Sequence, residues 1–260
     1  MEQPAIIQVR DLTAGYGETV ILEGVNFDVY AGERFVILGP SGCGKSTLLK
    51  HLVGLNPTRQ GFISLDGQEI TGYEDEINFQ KLVRRIGFLF QNSALLGSLT
   101  VAENVALPIQ EYTDLPKRCV EAVVQIKLAQ VNLSGYGNHF PAELSGGMKK
   151  RAALARAMAM SPKILFFDEP SAGLDPITSA ELDNLILYLN KTLGTTIVIV
   201  SHELSSIFTV AERVIMLDKE AKGIIAEGHP AELRDHSSDP QVRRFFNREP
   251  EAAPVAGGSA

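Results

Sequence analysis

The chain has no tryptophan, only two cysteines (Cys43 and Cys119) and no surplus of positive charge: 24 Lys+Arg face 31 Asp+Glu, a formal net charge of −7 over 260 residues. Two cysteines do not make a disulfide framework, and they suit a reducing, cytosolic setting. An acidic balance excludes a general basic face for nucleic acid and leaves only local patches for it. No run approaches the roughly 18 apolar residues needed to span a bilayer. Met1-Glu2-Gln3-Pro4 lacks the basic start and apolar core of a signal peptide. The expectation is a chain soluble by itself, whose membrane role, if any, comes through a partner. What is present is a 45% hydrophobic, 21% charged composition, enough for one large α/β domain or two small ones with a sizeable core.

The chain is organised around Gly39-Pro40-Ser41-Gly42-Cys43-Gly44-Lys45-Ser46-Thr47. It fits G-x-x-x-x-G-K-[ST] and follows the apolar, β-leaning Arg34–Leu38, while Ser46–Val53 continues with apolar positions at helical spacing. A strand–loop–helix of this kind aims backbone N–H groups and a helix N-terminus at one point, which suits phosphate. Lys45 would reach terminal phosphates and the Ser46 hydroxyl would ligate Mg²⁺. A glycine-rich turn without a ligand is the alternative, and the strand–helix context argues against it. A thiol at a helix N-terminus has a lowered pKa, so Cys43 could be alkylated to block entry; the plainer reading makes it a small filler.

Around the loop, strands and helices alternate in the βαβ rhythm of a mostly parallel sheet. Ile6–Val9 and Thr19–Leu22 flank a turn at Gly15-Tyr16-Gly17 as a hairpin; Gly61–Gly67 is a short strand and turn; Ile86–Phe90 is a buried strand delivering Gln91. Helix is expected from Thr100 to about Leu133, broken by Pro108 and Pro116, and again from Ser145 through Ala159 and over Thr178–Leu193. Ile164–Asp168 and Thr196–Val200 are buried strands, Val214–Leu217 and Gly223–Ala226 a closing hairpin. Residues 249–260, rich in Pro, Gly and Ala, read as disordered.

Two further motifs sharpen the reading. Asp168 ends an apolar strand, as the Mg²⁺-holding Asp of phosphate-loop enzymes does, and Glu169 stands where it could polarise a water in line with a γ-phosphate. Two acids before Pro170 could instead simply cap a strand end. Leu144-Ser145-Gly146-Gly147 opens a helix with several free N–H groups, a second anion site. Two phosphate-reading helix termini with one catalytic loop suggest half-sites completed by a second copy.

With Gln91, Gly173-Leu174-Asp175 and His202 in the same order, the chain resembles an ATP-binding-cassette (ABC) ATPase subunit over about residues 5 to 235. The resemblance implies an α/β fold: a P-loop NTPase cassette with a RecA-like mixed sheet, an antiparallel β subdomain and an α-helical subdomain. One ATPase domain over 1–248 would hold the helical subdomain at about 92–160 and a helical extension at about 230–248. It implies ATP and Mg²⁺, with Ser46, Gln91 and Asp168 toward the metal and Gly39 to Thr47 around the phosphates. Tyr16 would stack on adenine, although aromatics in hairpin turns often merely pack. Gln91 would contact the attacking water and sense the membrane partner. Ser145, Gly146 and Gly147 would meet the γ-phosphate held by the opposite copy, and Asp175 would couple the two sites. His202 would clamp the γ-phosphate beside catalytic Glu169 and Lys45; a lone strand-end histidine is the alternative.

Met148 stands where the family pattern commonly has Gln, which puts contacts to the partner's ribose in doubt. The run Met148 to Ala157, the segment Phe90 to Pro108 and Asp239 to Asn247 are similar to Mla-type lipid transporters that work with MCE proteins. That resemblance implies a homodimer on the cytoplasmic face of a bacterial inner membrane. Permease subunits, an MCE-type protein and an accessory subunit would be partners, and nucleic acid would not. The alternatives are an ABC ATPase driving a non-transport envelope complex, or a transporter of another substrate. A groove near Leu95 to Val105 would take a permease helix unless those residues form the subdomain's own core. Phe245 and Phe246 either dock on a second subunit or pack on their own domain.

Overall fold

The computed structural model describes residues 5–70 and 76–249. The start at 1–4 and all but the first residue of the expected tail lie outside the described residues.

The chain opens with β1 (Ala5–Tyr16) and β2 (Thr19–Tyr30), then β3 (Arg34–Leu38) and α1 (Lys45–Leu52). Next come β4 (Gln60–Leu65), β5 (Gln68–Glu69), α2 (Glu76–Val83) and β6 (Ile86–Leu89). Three helices follow, α3 (Val101–Tyr112), α4 (Lys117–Gln130) and α5 (Gly146–Ala157), before β7 (Ile164–Asp168), α6 (Pro176–Leu193) and β8 (Thr196–Val200). The last are α7 (Leu204–Val210), β9 (Arg213–Asp218), β10 (Gly223–Gly228), α8 (Pro230–His236) and α9 (Pro240–Asn247).

These strands make two sheets. An antiparallel one runs β2-β1-β4-β5, and a mixed one runs β10-β9-β3-β8-β7-β6 with only β10 antiparallel. The expected hairpin is present, with Tyr16 opposite Thr19 at its tip.

The central strands read as unbroken apolar runs because both their faces are covered. Successive side chains point to opposite faces. Val36, Leu38, Leu165 and Phe167 therefore join the layer made with α3 to α6, while Phe35, Ile37, Ile164 and Phe166 face α1 and the antiparallel sheet. β6 can pass close to α5 only because residue 87 is glycine: a Cβ there would lie 2.2 Å from the Ala157 carbonyl oxygen.

The expected break at Pro108 does not occur, since α3 runs through it to Tyr112. A mid-helix proline costs about 3 kcal/mol, and the burial of Val101, Val105 and Ile109 on the core-facing stripe offsets it. Pro116 does separate helices, standing at the N-cap of α4. The entry to α3 is tightly built. Thr100 and Glu103 form a reciprocal capping box, and the fully buried Asn104 side chain binds Leu96 through both its N–H and its C=O, and also the Leu99 and Thr100 carbonyls.

At the C-terminal end, Val242 and Phe246 of α9 are buried, and the Phe246 ring lies 5.8 Å from Phe208 and 5.6 Å from Phe245. Both phenylalanines thus pack on their own domain, Phe246 within the core and Phe245 at its edge.

Candidate active site

Parallel strands deliver their C-terminal ends to one edge of the sheet, where open α/β folds place ligands. Ile37 of β3 and Asp168 of β7 both pair with Val200 of β8, and Leu89 of β6 pairs with Phe167. Gly39, Asp168, Glu169, Ser201, His202 and Gln91 therefore emerge together, from stretches distant in sequence.

The loop after β3 needs its glycines. Gly39, Gly42 and Gly44 have φ of 145°, 80° and 105°, conformations that a Cβ disfavours. A Cβ on Gly39 would meet the Leu217 carbonyl oxygen at 2.4 Å, and one on Gly44 the Ile21 side chain at 2.9 Å. The buried Lys45 ammonium donates to the carbonyls of Gly39 (2.8 Å) and Pro40 (3.0 Å). Lysine thus braces the loop from inside, with its charge at the start of α1.

Cys43 departs from the reactive-thiol reading. Its side chain is 1% exposed, and burial pushes the thiol above its ordinary pKa, outweighing the Lys45 charge. A protonated, occluded thiol is a poor nucleophile, so the filler reading holds. Native alkylation followed by peptide mass spectrometry is expected to modify the partly exposed Cys119 and leave Cys43 and ATP hydrolysis untouched; rapid loss of activity on labelling of Cys43 would overturn this.

The Ser46 hydroxyl donates to Asp168 Oδ1 at 3.3 Å. Burial raises the Asp168 pKa, and the Ser46 bond works against that rise. A hydroxyl and a carboxylate side by side are hard oxygen donors that match Mg²⁺. Beside them Glu169 is buried, with its Oε1 2.8 Å from Nδ1 of the solvent-facing His202. Glu169 adopts φ 47°, a left-handed conformation uncommon outside glycine. Its N–H is held by the Val200 carbonyl at 2.9 Å. A carboxylate in this setting can accept a proton or orient a water while an imidazole fixes its direction.

Tyr16 is largely exposed at the hairpin tip, its hydroxyl 3.5 Å from Thr47 Oγ1 and 3.4 Å from Lys50 Nζ. The tip is tied down from below by the buried His51, whose Nε2 accepts from the Gly15 N–H at 3.3 Å. Burial lowers the His51 pKa, which keeps the ring a neutral acceptor. An aromatic face beside the phosphate loop is thereby held in a fixed place.

Gln91 is exposed two residues past β6. Ser145 N-caps α5, accepting from the Met148 N–H, and with Gly146 it faces solvent. Ser145 and Gly147 line a recess of about 230 Å³ with Tyr136, Arg151 and Thr178, to which the 39–47 loop contributes nothing. Asp175 caps α6, accepting from the Ile177 and Thr178 N–H groups and the Thr178 hydroxyl.

The stretch Leu95 to Val105 divides between interior and surface. Val101 and Val105 are core, and the apolar cavity of about 410 Å³ is lined by Leu55, Phe79, Phe88, Phe90, Leu107 and Tyr112, among others.

Three supporting residues were given no individual role by the sequence: His51, Lys150 and Arg156. Lys150 shares a stripe with Ala153, Leu154 and Ala157 at i+3, i+4 and i+7, a spacing that foretells a buried lysine.

The family described as ABC transporter matches residues 22–172. The intermembrane phospholipid transport system ATP-binding protein MlaF of Haemophilus influenzae is 39% identical over 244 residues, covering 94% of this chain and 91% of that protein. MlaF of Escherichia coli K12 is 38% identical over 250 residues, 95% and 91% of the two chains. The probable ribonucleotide transport ATP-binding protein mkl of Mycobacterium leprae is 40% identical over 247 residues, 95% and 70% of the two chains. Among solved structures, the dimeric post-hydrolysis ATP-binding cassette MJ0796 with ADP and Pi has a TM-score of 0.77 at 31% identity, covering 86% and 98%. The cbiO1 protein of Clostridium perfringens has a TM-score of 0.82 at 31% identity, covering 95% and 96%. With the phosphate loop, Asp168-Glu169 and His202 gathered at one sheet edge, and with relatives and solved cassettes matched over most of its length, this chain belongs to the ABC transporter family as an ATP-binding, ATP-hydrolysing subunit.

Proposed function

We propose that the chain powers phospholipid movement through a membrane permease, working as a homodimer that closes around two ATP at the cytoplasmic face of a bacterial inner membrane. The observation that carries the catalytic part is the His202–Glu169 contact of 2.8 Å beside Ser46 and Asp168. In this reading Glu169 orients the attacking water, and His202 fixes that carboxylate and meets the γ-phosphate. Lys45 gives up its loop carbonyls for phosphate oxygens. Ser46 and Asp168, with Gln91 beside them, would hold Mg²⁺, which when bound offsets phosphate charge. Tyr16 takes the adenine face.

The free N-terminus of α5 at Ser145 to Gly147 has no phosphate loop beside it in its own recess, so it is suited to the γ-phosphate of a second copy. Closure then follows from charge: the triphosphate attracts Lys45 on one side and a helix N-terminus on the other. Asp175, which shapes the start of α6, would pass the state of one site to the other. The apolar groove around Phe88, Phe90 and Leu107 fits a permease segment. No helix among the described residues is long and apolar enough to cross a membrane.

Phospholipid as cargo is supported by the MlaF relatives at 38–39% identity; an MCE-type protein and an accessory subunit as partners are inferred only from the resemblance of the Phe90 to Pro108, Met148 to Ala157 and Asp239 to Asn247 stretches to Mla-type transporters. The test is reconstitution of the membrane-purified complex in vesicles carrying labelled phospholipid. MgATP-dependent movement of the label is expected; brisk hydrolysis without movement would overturn the lipid assignment and favour another cargo or a non-transport complex.

A further inference from the structure

Lys150 stands one turn beyond the Ser145 cap of α5, and its side chain is 5% exposed. Among the described residues it has no carboxylate in salt-bridge contact. Its ammonium donates instead to two main-chain carbonyls, those of Gln91 and of Glu169 (3.4 Å). Burying a lysine costs free energy unless its charge is met. Here burial lowers the Lys150 pKa, and the nearby Asp168 and Glu169 charges offset that only in part. Two turns further on, Arg156 of the same helix donates to the carbonyls of Ala94 (2.7 Å) and Ser93 (2.9 Å). One helix thus grips the 91–94 segment at both ends. That segment begins at Gln91, follows the groove-lining Phe90 and borders the apolar groove itself through Ala94.

We propose that Lys150 is a positioning residue that locks the main chains of Gln91 and Glu169 to the helix opened by Ser145, so that the aim of the Glu169 carboxylate depends on how the groove-side segment is seated. The inference rests on Glu169 being the residue that orients the water. Glu169 is held in its left-handed conformation from both sides, its N–H by the Val200 carbonyl and its C=O by the Ala172 N–H (3.2 Å) together with Lys150. Removing Lys150 leaves the Glu169 carbonyl on Ala172 alone and the Gln91 carbonyl without its donor, so the two main chains are no longer tied to each other and the carboxylate drifts off line. Lys150 touches neither the phosphate loop nor the Tyr16 platform, so ATP binding should not depend on it. Arginine can reach two carbonyls as lysine does, glutamine is shorter and uncharged, and methionine donates nothing.

The experiment measures kcat and KM for MgATP in the full chain carrying Lys150→Met, Lys150→Arg, Lys150→Gln or Glu169→Gln. Because misplacement by about 1 Å costs on the order of 100-fold in rate, Lys150→Met is expected to lower kcat about 30–100-fold with KM within about threefold of the parent. Lys150→Arg should restore most of the rate. The double variant Lys150→Met with Glu169→Gln should still form the ATP-bound dimer. A folded Lys150→Met at the parent rate, a rise in KM with kcat unchanged, or an arginine variant as slow as methionine would overturn the proposal. If Lys150→Met fails to fold, Arg against Gln decides: an active Arg and a slow Gln support it, and a Gln variant at the parent rate ends it. Turnover retained by Glu169→Gln would remove the underlying reading of the site; an inactive Glu169→Gln beside a fully active Lys150→Met removes the Lys150 role alone.

Discussion

Glu169→Gln is expected to abolish turnover, by about 100-fold at least and up to 10⁴-fold, the range spanned by loss of a general base, while ATP is still bound. Glutamine has the shape of glutamate and can still accept from the His202 ring, so the 2.8 Å contact and the left-handed backbone at 169 need not change. What disappears is the capacity to take a proton and the negative charge. That charge lies beside Asp168, whose pKa it helps to raise. Its loss therefore relieves repulsion toward an incoming polyphosphate, and nucleotide affinity should stay level or increase. Unhydrolysed ATP would remain as the bridge between two copies. Size-exclusion chromatography in saturating MgATP should show a dimer for the variant and steady phosphate release for the parent. A variant that stays monomeric, or hydrolyses at the parent rate, contradicts the arrangement.

Lys45→Ala is expected to act on the opposite quantity, binding itself. Charge-assisted hydrogen bonds are worth about 1.5–3 kcal/mol each, so loss of two to phosphate oxygens lowers affinity by roughly 100-fold or more. The Gly39 and Pro40 carbonyls lose their internal donor as well. Thermal unfolding with and without nucleotide separates binding from folding. A ligand at 100 times its Kd stabilises the native state by about 2.7 kcal/mol. The parent should show an upward shift of the midpoint with MgATP, and the variant at the same concentration little. Equal shifts, or affinities within about threefold by calorimetry, would refute the assignment of Lys45 to phosphate.

Much of the site was readable from the sequence because its chemistry demands contiguity. A phosphate cradle needs its glycines and lysine on consecutive residues, and Asp168-Glu169 must leave one strand end together. Contacts set by strand order were not readable at that level. Asp168 and Val200 are far apart in sequence yet paired, and the approach of His202 to Glu169 follows from that pairing. At Pro108 local propensity points to a break, and the buried stripe of α3, which only the tertiary structure supplies, overrides it. The apolar positions Val101 and Val105 suit either the subdomain's own interior or a partner, a choice that local pattern does not make; their complete burial assigns those two to the interior. Lys150 stayed hidden in a basic cluster, Lys149 to Arg151, that looks like an ordinary solvated face; only the register of α5 separates it from its neighbours.

Asn104 gives the turn before α3 an unusual stiffness. Its amide closes on Leu96 from both directions and also grips Leu99 and Thr100, so the exposed Leu96 is clamped to a rod rather than hung on a string. Displacing that leucine would therefore strain the Asn104 bonds and bear on the start of α3, where Val101 enters the interior.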